Sequence, residues 1–143
     1  MLVHGTSVAL RGGRGWRAVI LRGAPGSGKS DLALRLIEGG ARLIADDQTR
    51  LLKQGRALVA TVPTVLKAMM EVRGVGIVKL ARTETVASAP LALLVDLVAP
   101  ERIDRLPEPE SETVLGIAVP RLALAPFEAS AAAKLRRALL ARR

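Results

Sequence analysis

The sequence predicts an α/β domain whose mixed β-sheet carries a phosphate-binding loop. Three observations support this. Residues 23–30 read Gly-Ala-Pro-Gly-Ser-Gly-Lys-Ser, a complete G-x-x-x-x-G-K-[ST] pattern. The pattern lies between the apolar run Arg17-Ala-Val-Ile-Leu-Arg22 and Asp31-Leu-Ala-Leu-Arg-Leu-Ile-Glu38, which reads as a helix. Strand, glycine turn and helix N-terminus together aim backbone N–H groups and the positive end of a helix dipole at one anionic ligand. Finally, several short strand-like segments follow residue 50, which suggests a mixed sheet over a purely parallel one.

Taken in order, Val3 to Leu10 alternates over a short span and predicts an edge strand ending in the turn-rich Arg11-Gly-Gly-Arg-Gly15. Trp16 to Leu21 is the buried strand feeding the loop. Leu32, Leu36 and the Ala33/Ile37 pair recur at i, i+4 and give the next helix one apolar face, which Gly39-Gly40 ends. Arg42-Leu-Ile-Ala45 is a short strand that delivers Asp46-Asp47 at its carboxyl end. Leu51-Leu-Lys and Ala57-Leu-Val-Ala flank Gln54-Gly55 as a hairpin, and Pro63 to Met70 predicts a short helix with proline near its first turn. Glu71-Val-Arg-Gly-Val-Gly-Ile-Val78 places a charged pair and two glycines ahead of an apolar strand. Leu91 to Val98 is a buried strand interrupted by Asp96, Pro100 to Glu112 a charged surface loop, and Phe127 to Arg143 a terminal helix with Leu135 and Leu139 on one face.

The 143 residues form one domain, 1–143, large enough to bury a core. That core is aliphatic, because the chain has one Phe, one Trp and no Tyr. With no cysteine there is neither a disulfide framework nor a thiolate metal site. The N-terminus lacks the charged-then-apolar order of a signal peptide, and no stretch reaches the ~18 apolar residues of a membrane span. A soluble protein of the cytoplasm, with no membrane partner, is expected. The net charge of +9 raises a nucleic-acid partner, but the basic residues are scattered apart from Lys134-Leu-Arg-Arg137 and Arg142-Arg143, so nucleic-acid binding is not expected.

Within the loop, Gly23, Ala24, Pro25, Gly26, Ser27, Gly28, Lys29 and Ser30 form the nucleotide cradle. Lys29 can reach the β/γ-phosphates, and Ser30 can offer its hydroxyl to Mg²⁺. Asp46-Asp47 should face the same crevice, since ligands of α/β sheets sit beyond the carboxyl ends of the strands. Two carboxylates there can divide the labour, one holding the metal or its waters and the other taking a proton from an attacking hydroxyl. Glu71 and Arg73 flank a single residue and would point to one side of an extended chain, where Glu71 can hold Mg²⁺ and Arg73 can neutralise phosphate charge. His4, the only histidine, reads in isolation as a structural or surface residue.

The order His4-Gly5, Gly23 to Ser30, Leu43-Ile-Ala-Asp-Asp47 and Glu71-Val-Arg-Gly-Val-Gly-Ile77 resembles the C-terminal catalytic domain of the HPr kinase/phosphorylase family. The likeness covers nearly the whole chain. Its strongest element is Glu-x-Arg-Gly-x-Gly-Ile, which follows the aspartate pair at the family's spacing and is not a general property of phosphate loops. Asp104-Arg105 falls where the family has a catalytic arginine, and Pro120 ahead of Leu122-Ala-Leu-Ala-Pro126 resembles its closing stretch. The resemblance implies a phosphoenolpyruvate carboxykinase-like fold, use of ATP and Mg²⁺, a homohexamer, and phosphorylation of a serine on HPr, the phosphocarrier of the sugar phosphotransferase system. It also implies a truncated form that lacks the family's N-terminal domain.

By the same resemblance, residues 23–30 bind ATP and Ser30 and Glu71 hold Mg²⁺. Asp47 becomes the proton acceptor, His4 and Arg105 support the transferring phosphoryl group, and residues 70–79 form the signature loop. Ala125-Pro-Phe-Glu-Ala-Ser130 carries neither the glycine nor the arginine that the family ties to phosphorolysis, so that reverse reaction is expected to be weak. Two alternatives stand beside this reading: a phosphate-loop kinase of a small metabolite, and a nucleotide-gated regulatory or nucleic-acid-binding module.

Overall fold

The computed structural model describes residues 1–13, 15–63 and 68–141. The N-terminal segment forms two strands where one was expected, β1 (Leu2–His4) and β2 (Thr6–Gly12), separated at Gly5. A Cβ on Gly5 would fall 2.7 Å from Ile20 Cγ2 and 2.8 Å from the Leu21 carbonyl oxygen. Only a bare α-carbon lets the chain pass so close to the next strand, β3 (Gly15–Arg22). Beyond this corner β2 is an interior strand and not the expected edge, because β3 and β4 (Arg42–Ala45) flank it on either side.

Helix α1 spans Lys29–Glu38 and buries the four predicted residues Leu32, Ala33, Leu36 and Ile37, with Gly39 closing its C-terminus. The expected hairpin is present as β5 (Gln48–Gln54) and β6 (Ala57–Thr61). Residues 64–67 of the helix predicted over Pro63 to Met70 lie outside the described residues. Its last two, Met69 and Met70, instead open β7 (Met69–Val72), which pairs antiparallel with β8 (Gly76–Lys79). The strand predicted over Leu91–Val98 is β9 (Ser88–Leu97).

Two further differences follow β9. The surface loop ends at residue 109, because Glu110, Ser111 and Glu112 already belong to β10 (Glu110–Val114), which pairs with β11 (Ile117–Leu124). The terminal helix, α2, runs over Ala131–Ala141, so Phe127 to Ser130 form turns ahead of it. Leu135 and Leu139 are buried as expected.

The strand order β1–β5–β6–β9–β3–β2–β4, with β11 against β9 and β10 outside β11, makes one mixed sheet. Among the described residues, the β3/β9 and β9/β11 strand pairs are parallel and the other strand pairs antiparallel. Alternation sends Val19, Leu21, Leu93 and Val95 to the face covered by α1 and α2, where Leu36 and Leu135 complete the core. Ala18, Ile20 and Leu94 face the other way and meet Leu51, Leu58 and Ala60, because the β5–β6 half curls over that face. The carboxyl ends of β3, β9 and β11 therefore share one rim.

Candidate active site

At that rim β3 hands the chain to the phosphate loop, and the fold agrees closely with the sequence reading. Ser27 N–H donates to the Ala24 carbonyl (3.0 Å), closing the turn that lifts the backbone over the start of α1. Gly28, the residue preceding α1, has φ +100°, and a Cβ there would sit 3.0 Å from the Phe127 ring and 3.1 Å from Pro126. Both the left-handed backbone and the close approach require glycine. Lys29 Nζ donates to the Gly23 (2.8 Å) and Ala24 (3.2 Å) carbonyls, so the ammonium rests against the loop's own backbone.

Asp46 joins the separate pieces. Its Oδ1 accepts from the Ser30 hydroxyl (2.9 Å) and the Thr6 hydroxyl (3.0 Å), and its Oδ2 accepts from the Glu71 backbone N–H (3.0 Å). One half-buried carboxylate thus ties together the phosphate loop, the corner after β1 and the β7–β8 hairpin. Thr6 is fully buried and accepts the Asp47 N–H (3.1 Å). Beneath it Thr49 Oγ1 bonds the Gly5 carbonyl (3.0 Å) and shares a hydrogen bond with Ser7 (2.8 Å). Thr6 is thus satisfied by Asp46 and Asp47, and Ser7 and Thr49 by each other and the Gly5 carbonyl, as buried hydroxyls require.

Asp47 is exposed and left-handed (φ +66°), a conformation that aspartate tolerates better than most residues. Its carbonyl takes the Gly5 N–H (2.8 Å), and His4 pairs with Gln48 in the β1/β5 register. The exposed His4 is therefore brought beside Asp47, a proximity that the sequence alone does not show. Glu71, on β7, reaches the cluster through its backbone. Arg73 does not follow the predicted geometry: Val75 N–H bonds the Val72 carbonyl (2.9 Å), which puts Arg73 in the hairpin turn and not in an extended strand with Glu71. Arg105 lies on the exposed loop after β9 and hydrogen-bonds to none of the Asp46 group.

Arg22, immediately ahead of Gly23, anchors the loop from beneath. It makes paired hydrogen bonds to Asp96 on β9 (2.8 and 3.1 Å) and to Glu112 on β10 (both 2.9 Å). Glu112 and Asp96 together hold the guanidinium well above its ordinary range against the cost of partial burial. The Arg22 hydrogen bonds in turn lower the Glu112 carboxyl below the usual carboxylate value. Arg121 on β11 adds contacts to Glu112 and Glu110. The sequence hints at this network only through Asp96, a charge inside an otherwise apolar strand.

Among the described residues no three His, Cys, Asp or Glu side chains cluster as a self-sufficient metal cage. Mg²⁺ at a phosphoryl-transfer site needs none, because it takes one or two carboxylates and completes its shell with phosphate and water. Hard oxygen donors on Ser30, Asp46 and Glu71 fit that demand. An apolar cleft of about 480 Å³ opens from Ser27 between the segments that follow β9 and β11.

Comparison with known proteins agrees with this geometry. Residues 1–136 match the family model described as the HPr Serine kinase C-terminal domain. HPr kinase/phosphorylase of Limosilactobacillus reuteri (strain DSM 20016) is 34% identical over 131 residues, covering 85% of this chain and 40% of that protein. The Leptothrix cholodnii protein of the same name is 37% identical over 117 residues, covering 75% and 36%. The chain thus spans about two fifths of the length of the curated relatives it matches. The structure of the Hpr(Ser) kinase/phosphatase from Coxiella burnetii superposes with a TM-score of 0.81 at 25% identity, over 99% of this chain and 88% of that one. With its phosphate loop, aspartate pair and signature hairpin gathered at one rim, this chain belongs to the HPr serine kinase C-terminal domain family.

Proposed function

We propose that this chain is a Mg-ATP-dependent protein-serine kinase domain that phosphorylates an HPr-type phosphocarrier, with only weak phosphorolysis of the product. The observation that carries this reading is the junction at Asp46, where Ser30 of the phosphate loop, Thr6 of the β1/β2 corner and the Glu71 backbone meet on one carboxylate. In use, Lys29 exchanges its two loop carbonyls for phosphate oxygens, and the N-terminus of α1 adds backbone donors. Ser30, Asp46 and Glu71 would hold Mg²⁺, which when bound offsets charge on the transferring group. Asp47 takes the proton of the acceptor serine, and His4 lies beside it to orient the exchange. Arg105, from its exposed loop, and Arg73, from the hairpin turn, would supply positive charge to the transferring group.

The acceptor docks along this hairpin, where Val75 is 74% and Ile77 70% exposed. Apolar side chains left open beside a transfer site suit a protein surface better than a small metabolite. Family likeness further supports a cytoplasmic homohexamer. Among the described residues no helix is long and apolar enough to cross a membrane. The test is incubation of the protein with labelled ATP, Mg²⁺ and HPr, followed by addition of inorganic phosphate to the product. Label is expected on an HPr serine, with slow return. An HPr that stays unlabelled while accepted as substrate by an authentic kinase removes the proposal.

A further inference from the structure

We propose that the cleft beside the phosphate loop is the base subsite of the nucleotide, and that the exposed ring of Phe127 is the surface on which the base stacks. This rests on residues 23–30 being a nucleoside-triphosphate site. The cleft begins at Ser27 within the loop and runs between Leu97–Pro100 and Ala125–Glu128, so it continues the phosphate cradle along the same rim. The two halves differ in chemistry. The loop offers backbone N–H groups and Lys29, whereas Leu97, Val98, Pro100, Pro126 and Phe127 make the cleft apolar. A nucleoside triphosphate has the same polarity, charged at one end and flat with an apolar face at the other. At about 480 Å³ the cleft also has the size of ordinary small-molecule sites.

Phe127 is the only phenylalanine of the chain and is 71% exposed. A lone exposed apolar side chain needs no explanation by itself, but this one is held in place. Arg35 of α1 donates Nη2 to the Pro126 carbonyl and Nη1 to the Glu128 carbonyl (3.3 Å), gripping the backbone on both sides of the ring. The ring's Cε1–Cζ edge lies against Gly28, so the helix that opens at the loop also fixes the wall of the cleft. Such pre-organisation lowers the cost of ordering on binding. Few polar side chains line the cleft, and Glu128 is already paired with Lys134 (2.9 Å). Stacking, which tolerates any base, is therefore its main means of recognition.

Calorimetric titration of the wild type, Phe127→Ala and Phe127→Trp with ATP, GTP and inorganic tripolyphosphate tests the assignment. Loss of base–aromatic stacking should weaken ATP and GTP alike by roughly tenfold in Phe127→Ala. Tripolyphosphate binding should stay as in the wild type, and Phe127→Trp should retain ATP affinity. An equal loss for ATP and tripolyphosphate overturns the proposal, because the ring then only props the loop at Gly28. Unchanged ATP affinity in Phe127→Ala also overturns it and places the base elsewhere, leaving the ring to the acceptor protein if only the KM for HPr rises. A wild type that binds neither ATP nor tripolyphosphate defeats the underlying nucleotide-site reading, a result distinct from the other two.

Discussion

Asp46 and Asp47 are neighbours in sequence and opposite in circumstance. Asp46 is half-buried and accepts three hydrogen bonds, from Ser30, Thr6 and the Glu71 backbone. Asp47 is exposed, and its backbone groups, bound to Thr6 and Gly5, hold it at φ +66°. The exposed carboxylate is therefore the second, and the proposed function gives it the proton-accepting role. Asp47→Asn isolates its role, because asparagine keeps the size and accepts the left-handed backbone. Phosphorylation of HPr should fall by about 10²- to 10⁴-fold while ATP affinity is unchanged. Asp47→Ala should lose activity equally and, through backbone strain, about 1 kcal/mol of stability in a urea melt. Normal turnover in Asp47→Asn would take the proton-accepting role away from it. That an Asp pair stands beside the phosphate loop was legible in the chain, since the pair ends a short strand after that loop. Which one is gripped was not, because the grip comes from Thr6 and Glu71, each far from the pair in sequence.

Elements whose pattern depends on local periodicity were the legible ones. Helix α1 shows its four buried residues at helical spacing, and β3 and β9 are apolar runs of strand length. β10 was hidden because Glu110 and Glu112 read as part of the charged loop until their ion pairs with Arg121 on β11 are seen. The Phe127–Ser130 stretch reads as helix by composition, yet it forms turns, with Arg35 bonded to the Pro126 and Glu128 carbonyls. Nor does Gly5 announce that one expected strand is two. That corner is a testable element-scale device, because it sends β1 to β5 and β2 to β3 and β4. Gly5→Ala would drive a methyl against Ile20 and the Leu21 carbonyl, and backbone cannot yield as a long side chain can. The variant should lose about 2–3 kcal/mol in urea denaturation, in the range of overpacked cores. Unaltered stability would mean that the corner relaxes freely and does not set the strand switch.

Across the whole molecule, several of the 22 basic residues behind the net charge of +9 do internal work. Arg11 and Arg42 lie over the Trp16 ring at 5.6 and 4.8 Å, Arg35 caps backbone carbonyls, and Arg22 and Arg121 join β3, β9, β10 and β11. The last group matters most, because Arg22 is the final residue before the phosphate loop and its partners stand on the strands beside it. The network should therefore make stability depend on acid in a predictable direction. Arg22 hydrogen bonds, and to a lesser degree Arg121, lower the Glu112 carboxyl in the folded protein relative to the unfolded chain. On acidification the unfolded chain takes up this proton first, so the contribution of Glu112 is complete above the ordinary carboxylate range and disappears as pH falls through the depressed value. Glu112 and Arg22 are partly exposed, with side chains 33% and 22% accessible, so solvent screening limits the effect to about 1 kcal/mol. Glu112→Gln should be less stable than the wild type by that amount at neutral pH, and the two urea midpoints should converge once Glu112 is protonated in both folded and unfolded states. A gap that persists unchanged into acid would show that glutamine fails by shape and not by charge, and the electrostatic account of the sheet beneath the loop would be wrong.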